Sequence, residues 1–298
     1  MLRIILPISI LLTLYVSINV RAQDMHKNES EKLGLEVKMA SLENDFVVIG
    51  HRGAAAYFPE NTISSFEGAI ELKADMLELD VQLTKDNIPV LFHDTKLDKR
   101  SNGKGLVADY TLSELQQLDA GSWFGSQFKG EKIPTLREAL ERIKGRILIN
   151  IEIKTEAVLP DADYNHETSV EKQVVDMVNE MGIKDEVMVS SFDYRAVKRV
   201  KEIDREIYTA LLYDKAQSKG LNPKQLVDLY AADAFNCSAR QLSRGWIKML
   251  NENNIPFFVY TINRKRQMRR VIKAGAKGIF SDKPDVLKEV SDKFLQDI

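Results

Sequence analysis

Two stretches of this chain carry carboxylates where a buried strand would ordinarily carry hydrocarbon. In Met76-Leu77-Glu78-Leu79-Asp80-Val81-Gln82, three apolar residues alternate with Glu78, Asp80 and Gln82. Successive strand side chains point to opposite faces, so one face is apolar and the other holds two carboxylates two residues apart. Buried like charges at that spacing are costly unless a cation or a shared proton neutralises them. A second run repeats the pattern: Ile147, Ile149, Ile151 and Ile153 share one face, and Leu148, Asn150, Glu152 and Lys154 the other. Glu78, Asp80 and Glu152 together offer oxygen donors to one hard divalent cation, Ca²⁺ or Mg²⁺. The plainer alternatives are a solvated edge strand and a Glu152–Lys154 pair that satisfies itself.

Histidine is scarce. His51 and Arg52 follow an apolar run, and His93 closes Val90-Leu91-Phe92 just before Asp94. A pair of imidazoles suits general acid and base work near neutral pH. Arg52 and Lys154 beside a cation suit a phosphoryl group, whose charge they can clamp. His26 and His166 fall in polar segments and read as bystanders. One cysteine, Cys237, excludes a disulfide framework, and with so few histidines a structural zinc site is not expected. The residues thus point to metal-assisted phosphoryl chemistry.

Such a site needs a scaffold that brings distant strand ends together. Apolar or β-branched runs occur at 46–50, 76–83, 146–154, 186–192, 206–212, 233–238, 256–262 and 276–281. Helical periodicity follows at 62–73, 136–144, 170–181, 194–203, 223–232, 242–251, 266–274 and 284–294. Strands alternating with helices predict a parallel sheet with crossover helices. Eight units over about 250 residues predict a closed (β/α)₈ TIM barrel, whose chemistry sits at the carboxyl ends of its strands. An open doubly wound sheet is the alternative, but Gly50-His51-Arg52-Gly53 is not the glycine-rich phosphate loop expected after its first strand. About 40 residues interrupt the rhythm after the second strand region. That inserted segment, about 95–133, reads as a small subdomain over one rim, with a short helix announced by Thr111-Leu112-Ser113-Glu114.

The remaining features bound location and partners. Residues 1–22 combine Arg3, an apolar run and Val20-Arg21-Ala22. This is the pattern of a cleavable signal peptide cut after Ala22, which implies an exported protein, periplasmic or secreted, with no stable membrane insertion afterwards. Residues 23–45 read as a polar leader with a weak helical pattern at Leu33, Leu35, Val37 and Met39 that packs loosely or not at all, and 46–298 as the barrel domain. A formal net charge of −2 over 298 residues gives no general attraction for nucleic acid. Oligomeric state is not legible.

Four short motifs in order, Gly50-His51-Arg52-Gly53, Pro59-Glu60-Asn61-Thr62, Glu78-Leu79-Asp80-Val81 and His93-Asp94, resemble the glycerophosphodiester phosphodiesterase family. The resemblance continues through Leu118 to Phe124, Glu152-Ile153-Lys154, Ser191-Phe192 and Gly278 to Pro284. It implies hydrolysis of small glycerophosphodiesters to glycerol 3-phosphate and an alcohol, with one Ca²⁺ or Mg²⁺ as cofactor. His51 and His93 would be the acid–base pair. Glu78, Asp80 and Glu152 would hold the metal, and Arg52 and Lys154 would contact phosphate. Glu60 matches the family's acidic residue after proline; it either orients groups at the site or helps start the next helix. Phe192 and Tyr260 would line the alcohol side, with Tyr260 standing where the family often has tryptophan. Two alternatives are a phospholipase-type enzyme, for which Trp123, Phe124 and Phe128 would form an apolar rim, and a non-catalytic barrel that binds phosphate ligands.

Overall fold

The computed structural model describes residues 34–42, 45–162 and 165–296. The expected signal peptide and most of the expected leader lie outside the described residues. Eight parallel strands form the barrel: β1 (Val47–Gly50), β2 (Met76–Leu83), β4 (Leu148–Ile153), β5 (Val187–Ser191), β6 (Tyr208–Leu212), β7 (Ala234–Ser238), β8 (Phe257–Tyr260) and β9 (Gly278–Ser281). β1 pairs with β9 from Val47↔Gly278 to Gly50↔Ser281, and with β2 at Ile49↔Met76 and Gly50↔Leu77. That second pairing closes the sheet and excludes the open alternative. β3 (Pro89–Leu91) lies outside the barrel, antiparallel to the end of β2.

The alternation read from the sequence sets which residues face inward. Leu77, Leu79, Val81 and the isoleucines of β4 pack outward with helix residues such as Phe66, Leu136, Leu140 and Val174. Their neighbours Glu78, Asp80, Asn150 and Glu152 therefore point into the barrel. Those outer helices are α2 (Ile63–Glu71), α4 (Leu136–Ile143) and α5 (Val170–Glu180). The wall continues with α6 (Tyr194–Ile203), α7 (Pro223–Tyr230), α8 (Arg244–Glu252), α9 (Lys265–Lys273) and α10 (Pro284–Gln296). The starts follow the local chemistry. Asp193 caps α6 by accepting from Arg195 N, and Asn222 forms a reciprocal box with Gln225 ahead of Pro223 on α7.

The insert contains its expected short helix, α3 (Leu112–Leu115), begun by a capping box between Thr111 and Glu114. It has its own small core of Leu97, Val107, Leu115, Ala120 and Ile133, joined to Val90 and Phe92 next to His93. Packing of the insert is thus transmitted directly to the loop that carries one catalytic candidate.

The leader differs from its sequence reading. Gly34–Ala40 forms α1, and its Leu35 and Met39 are fully buried with Val47, Ile49, Met76, Leu148, Met188 and Tyr208 in the barrel interior. The weak apolar pattern does form a helix, but its Leu35 and Met39, four apart, plug the floor of the barrel instead of packing loosely. Met39→Ala is expected to cost about 2–5 kcal/mol in urea unfolding, as for other fully buried large side chains. A change within about 0.5 kcal/mol would instead be that of a loosely attached segment.

Candidate active site

The site forms where β1, β2 and β4 end. β1 stops at Gly50 and the chain turns sharply: Arg52 has φ 51° and Gly53 φ 84°. A Cβ on Gly53 would lie 2.5 Å from Ser65 O, so only glycine fits. The left-handed turn is pinned from three sides. Arg52 N donates to Glu78 Oε2 (2.7 Å), and Arg52 O accepts from Ser65 Oγ (2.8 Å) and Asn61 N (3.2 Å). A non-glycine residue in this region costs on the order of 1–3 kcal/mol, and here the surroundings enforce it.

Each imidazole is oriented by a carboxylate. His51 Nδ1 donates to Asp282 Oδ1 (2.6 Å), and Asp282 is fixed in turn by Asn263 Nδ2 (2.6 Å). Asp282 and Ser281 also bond Asn263 Oδ1, through N and Oγ respectively. Burial pushes the Asp282 carboxyl up, but the hydrogen bonds from His51 and Asn263 together with the charges of His51 and Arg52 hold it below the usual range. His93 Nδ1 donates to Asp94 Oδ1 (2.9 Å). Gln82, next along the polar face of β2, donates to Phe92 O (2.8 Å) and Asp94 O (2.9 Å), fixing the His93 loop. Burial, with the positive charges of Arg52 and Lys154, favours the neutral ring of His93 and holds it below the ordinary imidazole value, although Asp80 and the bond to Asp94 favour the charged form.

Between the histidines lie the acids. Glu78 and Asp80 are 2% and 1% exposed. Asp80 Oδ2 accepts from Asn61 Nδ2 (2.8 Å) and faces Arg52 Nε (3.4 Å), while its Oδ1 lies 3.4 Å from Lys154 Nζ. Lys154 Nζ also donates to Glu152 Oε1 (2.9 Å). Burial would raise Asp80, but Lys154 and Arg52 override it and hold the carboxyl far down. Glu78 is driven well up by burial and by the charges of Asp80 and Glu152. Glu152 is pushed up to about 7 by burial and by Asp80.

Whether these residues fit a divalent cation can be judged from the donors themselves. Glu78, Asp80 and Glu152 each present an oxygen within 4.8 Å of the others. Glu78 Oε1 and Asp80 Oδ1 are buried and make no hydrogen bond. Three carboxylates against two cationic side chains leave an excess of negative charge, and the donors are all hard oxygens, as Ca²⁺ or Mg²⁺ requires. The set fits.

A cavity of about 190 Å³ opens above this cluster, lined by His51, Arg52, Glu78, His93 and Glu152 on one side. Phe192, Leu212, Tyr260, Thr261 and Phe280 form the other side. Phe192 and Phe280 meet Tyr260 edge-on at 5.9 and 6.3 Å between centroids. The sequence of the Glycerophosphoryl diester phosphodiesterase family matches residues 51–286, which include every residue of this site. The chain belongs to that family. It is 37% identical over 242 residues to the glycerophosphodiester phosphodiesterase of Caldanaerobacter subterraneus, covering 81% of this chain and 96% of that one. It is 32% identical over 254 residues to one from Bacillus subtilis, covering 82% and 86%. Among solved structures, an Oleispira antarctica phosphodiesterase in complex with the product sn-glycerol-3-phosphate superposes with a TM-score of 0.74 at 28% identity, covering 82% of this chain and 96% of that one.

Within this family fold, Glu60 and Lys154 stand beside the cavity rather than in its lining, Glu60 orienting Arg52 as one of its two sequence readings had it. Glu60 does not line the cavity; its Oε1 accepts from Arg52 Nη1 (2.8 Å) and its Oε2 faces Arg100 Nε (3.3 Å). Thr62 caps α2, by accepting from Ser65 N. Lys154 is 9% exposed and also absent from the lining, held against Glu152 and Asp80. Asp282, Asn263 and Gln82 were missed as participants. Asp282 follows the apolar run of β9 as His51 follows that of β1, which is the signal that could have paired them. Gly53→Ala is expected to lower stability by about 1–3 kcal/mol in thermal denaturation, through the enforced φ and the contact with Ser65. Unchanged stability would show that the turn can relax.

Proposed function

We propose that this protein hydrolyses glycerophosphodiesters to glycerol 3-phosphate and an alcohol, with a divalent cation as cofactor and His51 and His93 as acid and base. The observation that carries the reading is the convergence of two carboxylate-oriented imidazoles, Arg52, Glu78 and Glu152 on one cavity, with Asp80 grouped beside the two glutamates. Glu78, Asp80 and Glu152 would hold the cation, which supplies Lewis-acid polarisation of a phosphoryl oxygen.

This chain's own groups account for the rest. With Nδ1 of each ring committed to a carboxylate, Nε2 is the atom left to exchange a proton with substrate. One histidine takes the proton of the nucleophile and the other returns one to the leaving alkoxide. Arg52, fixed by Glu60 and Asp80, presents its guanidinium to the phosphoryl oxygens. The nucleophile is either water or the glycerol hydroxyl neighbouring the phosphate, the second route passing through a cyclic phosphate.

A cavity of about 190 Å³ is small beside the roughly 300–1,000 Å³ of pockets that enclose drug-sized ligands. It suits a glycerophosphoryl group with little of the alcohol enclosed. The phospholipase reading draws no support from the insert. Trp123, Phe124 and Phe128 pack edge-on against one another, and Phe128 against Phe58, rather than forming an exposed apolar rim. Among the described residues no helix is long and apolar enough to cross a membrane. Export remains part of this proposal, on the strength of residues 1–22 alone.

His51→Ala and His93→Ala are each expected to lower kcat on glycerophosphocholine by about 10²–10⁴-fold, with folding retained by circular dichroism. Wild-type turnover in either variant would refute the acid–base assignment. Separately, chelation and dialysis are expected to abolish turnover, and Ca²⁺ or Mg²⁺ to restore it. Full activity after dialysis would remove the metal from the reading without touching the histidines.

A further inference from the structure

Beyond the packing of its core beside His93, the insert reaches the catalytic cluster through an ion pair. Arg100, on the insert, brings Nε to 3.3 Å from Glu60 Oε2, while the other oxygen of Glu60 accepts from Arg52 Nη1 at 2.8 Å. We propose that Arg100 is a positioning residue for Arg52, acting through the carboxylate of Glu60 that the two arginines share. This rests on the assignment of Arg52 to the phosphoryl group made above.

The argument is geometric. A carboxylate held at one oxygen can rotate and carry its partner with it; Glu60 is hydrogen-bonded to Arg52 at one oxygen and ion-paired to Arg100 at the other, which opposes that rotation. Glu60 is 11% exposed and stands between two guanidinium groups. Arg100 is itself located by an aromatic platform. Its guanidinium carbon lies 4.3 Å from the centroid of Trp123, and Trp123 Nε1 donates to Ala120 O (2.8 Å), which fixes the ring. From Trp123 the edge-on ring contacts run through Phe124 and Phe128 to Phe58. Phe58 lies against Gly68 of α2, where even a methyl group would come within 2.3 Å of its ring. The platform is therefore anchored on the barrel wall and sets the height of Arg100 above Glu60. Arg100 is not part of the cavity lining, and its ion-pair contact with the cluster is to Glu60; its charge also reaches Asp94, the carboxylate that orients His93.

The test is a double-mutant cycle. KM and kcat for glycerophosphocholine, and competitive inhibition by inorganic phosphate, would be measured for Arg52→Ala, Arg100→Ala and the double variant. Arg100→Ala is expected to weaken phosphate inhibition and raise KM by about 5–10-fold, more than it lowers kcat. The double variant should be no worse than Arg52→Ala alone. Arg100→Lys, which keeps the charge but not the planar stack, should recover part of the loss. Trp123→Leu should move phosphate inhibition the same way by a smaller factor, and serves if Arg100→Ala does not fold. Additive losses, or unchanged phosphate inhibition in Arg100→Ala and Trp123→Leu, would overturn the relay while leaving Arg52 in place. Unchanged phosphate inhibition in Arg52→Ala would instead overturn the phosphate assignment itself, and the relay with it.

Discussion

Three carboxylates and two cationic side chains share a buried space at the mouth of the barrel, and much of the molecule is arranged to make that tolerable. Asp80 is the centre of it. It takes Asn61, Arg52 and Lys154 as partners and stays ionised although it is almost wholly removed from water. Glu78 and Glu152 are then driven upward beside it, which is the electrostatic condition for welcoming a divalent cation. Remove either basic side chain and the cluster would hold buried charge without compensation. The left-handed turn at Arg52, the reach of Asn61 back from the start of α2 and the Glu152–Lys154 pair are all parts of this balance.

The scaffold supplies precision through strands rather than loops. Glu78, Asp80 and Gln82 stand on one face of β2, and each does something different: one presents a free oxygen, one anchors two cations, and one ties down the His93 loop. Their spacing is fixed by the pleat and needs no further support. The insert adds what strands cannot, a contact from above, delivered by Arg100 over a platform of rings.

Much of this was legible before any coordinates, for a physical reason. Period-two alternation exposes an anomalous polar face, so Glu78, Asp80 and Glu152 could be read together from β2 and β4 alone. The eight strand signals were equally open, since each is a local run of β-branched or apolar residues. The rest was hidden because it is not local. Asp282 follows β9 as His51 follows β1, but only closure of the barrel sets those two strand ends side by side, and nothing around Glu60 says that it faces Arg100 as well as Arg52. Leu35 and Met39 show as a weak helical pattern, but the burial that gives them meaning is created by strands more than a hundred residues away, such as those carrying Met188 and Tyr208.

The bond between His51 and Asp282 joins residues 231 positions apart, one after the first strand and one after the last. Its consequence concerns timing. While the chain is being synthesised, His51 exists long before the carboxylate that orients it, and β1 lacks its β9 partner for the same interval. Closing the cylinder and aligning that imidazole are therefore a single event, reached only when β9 docks. A partly made chain has the motif but not the oriented group, so competence for chemistry arrives with the final turn of the fold and not by degrees.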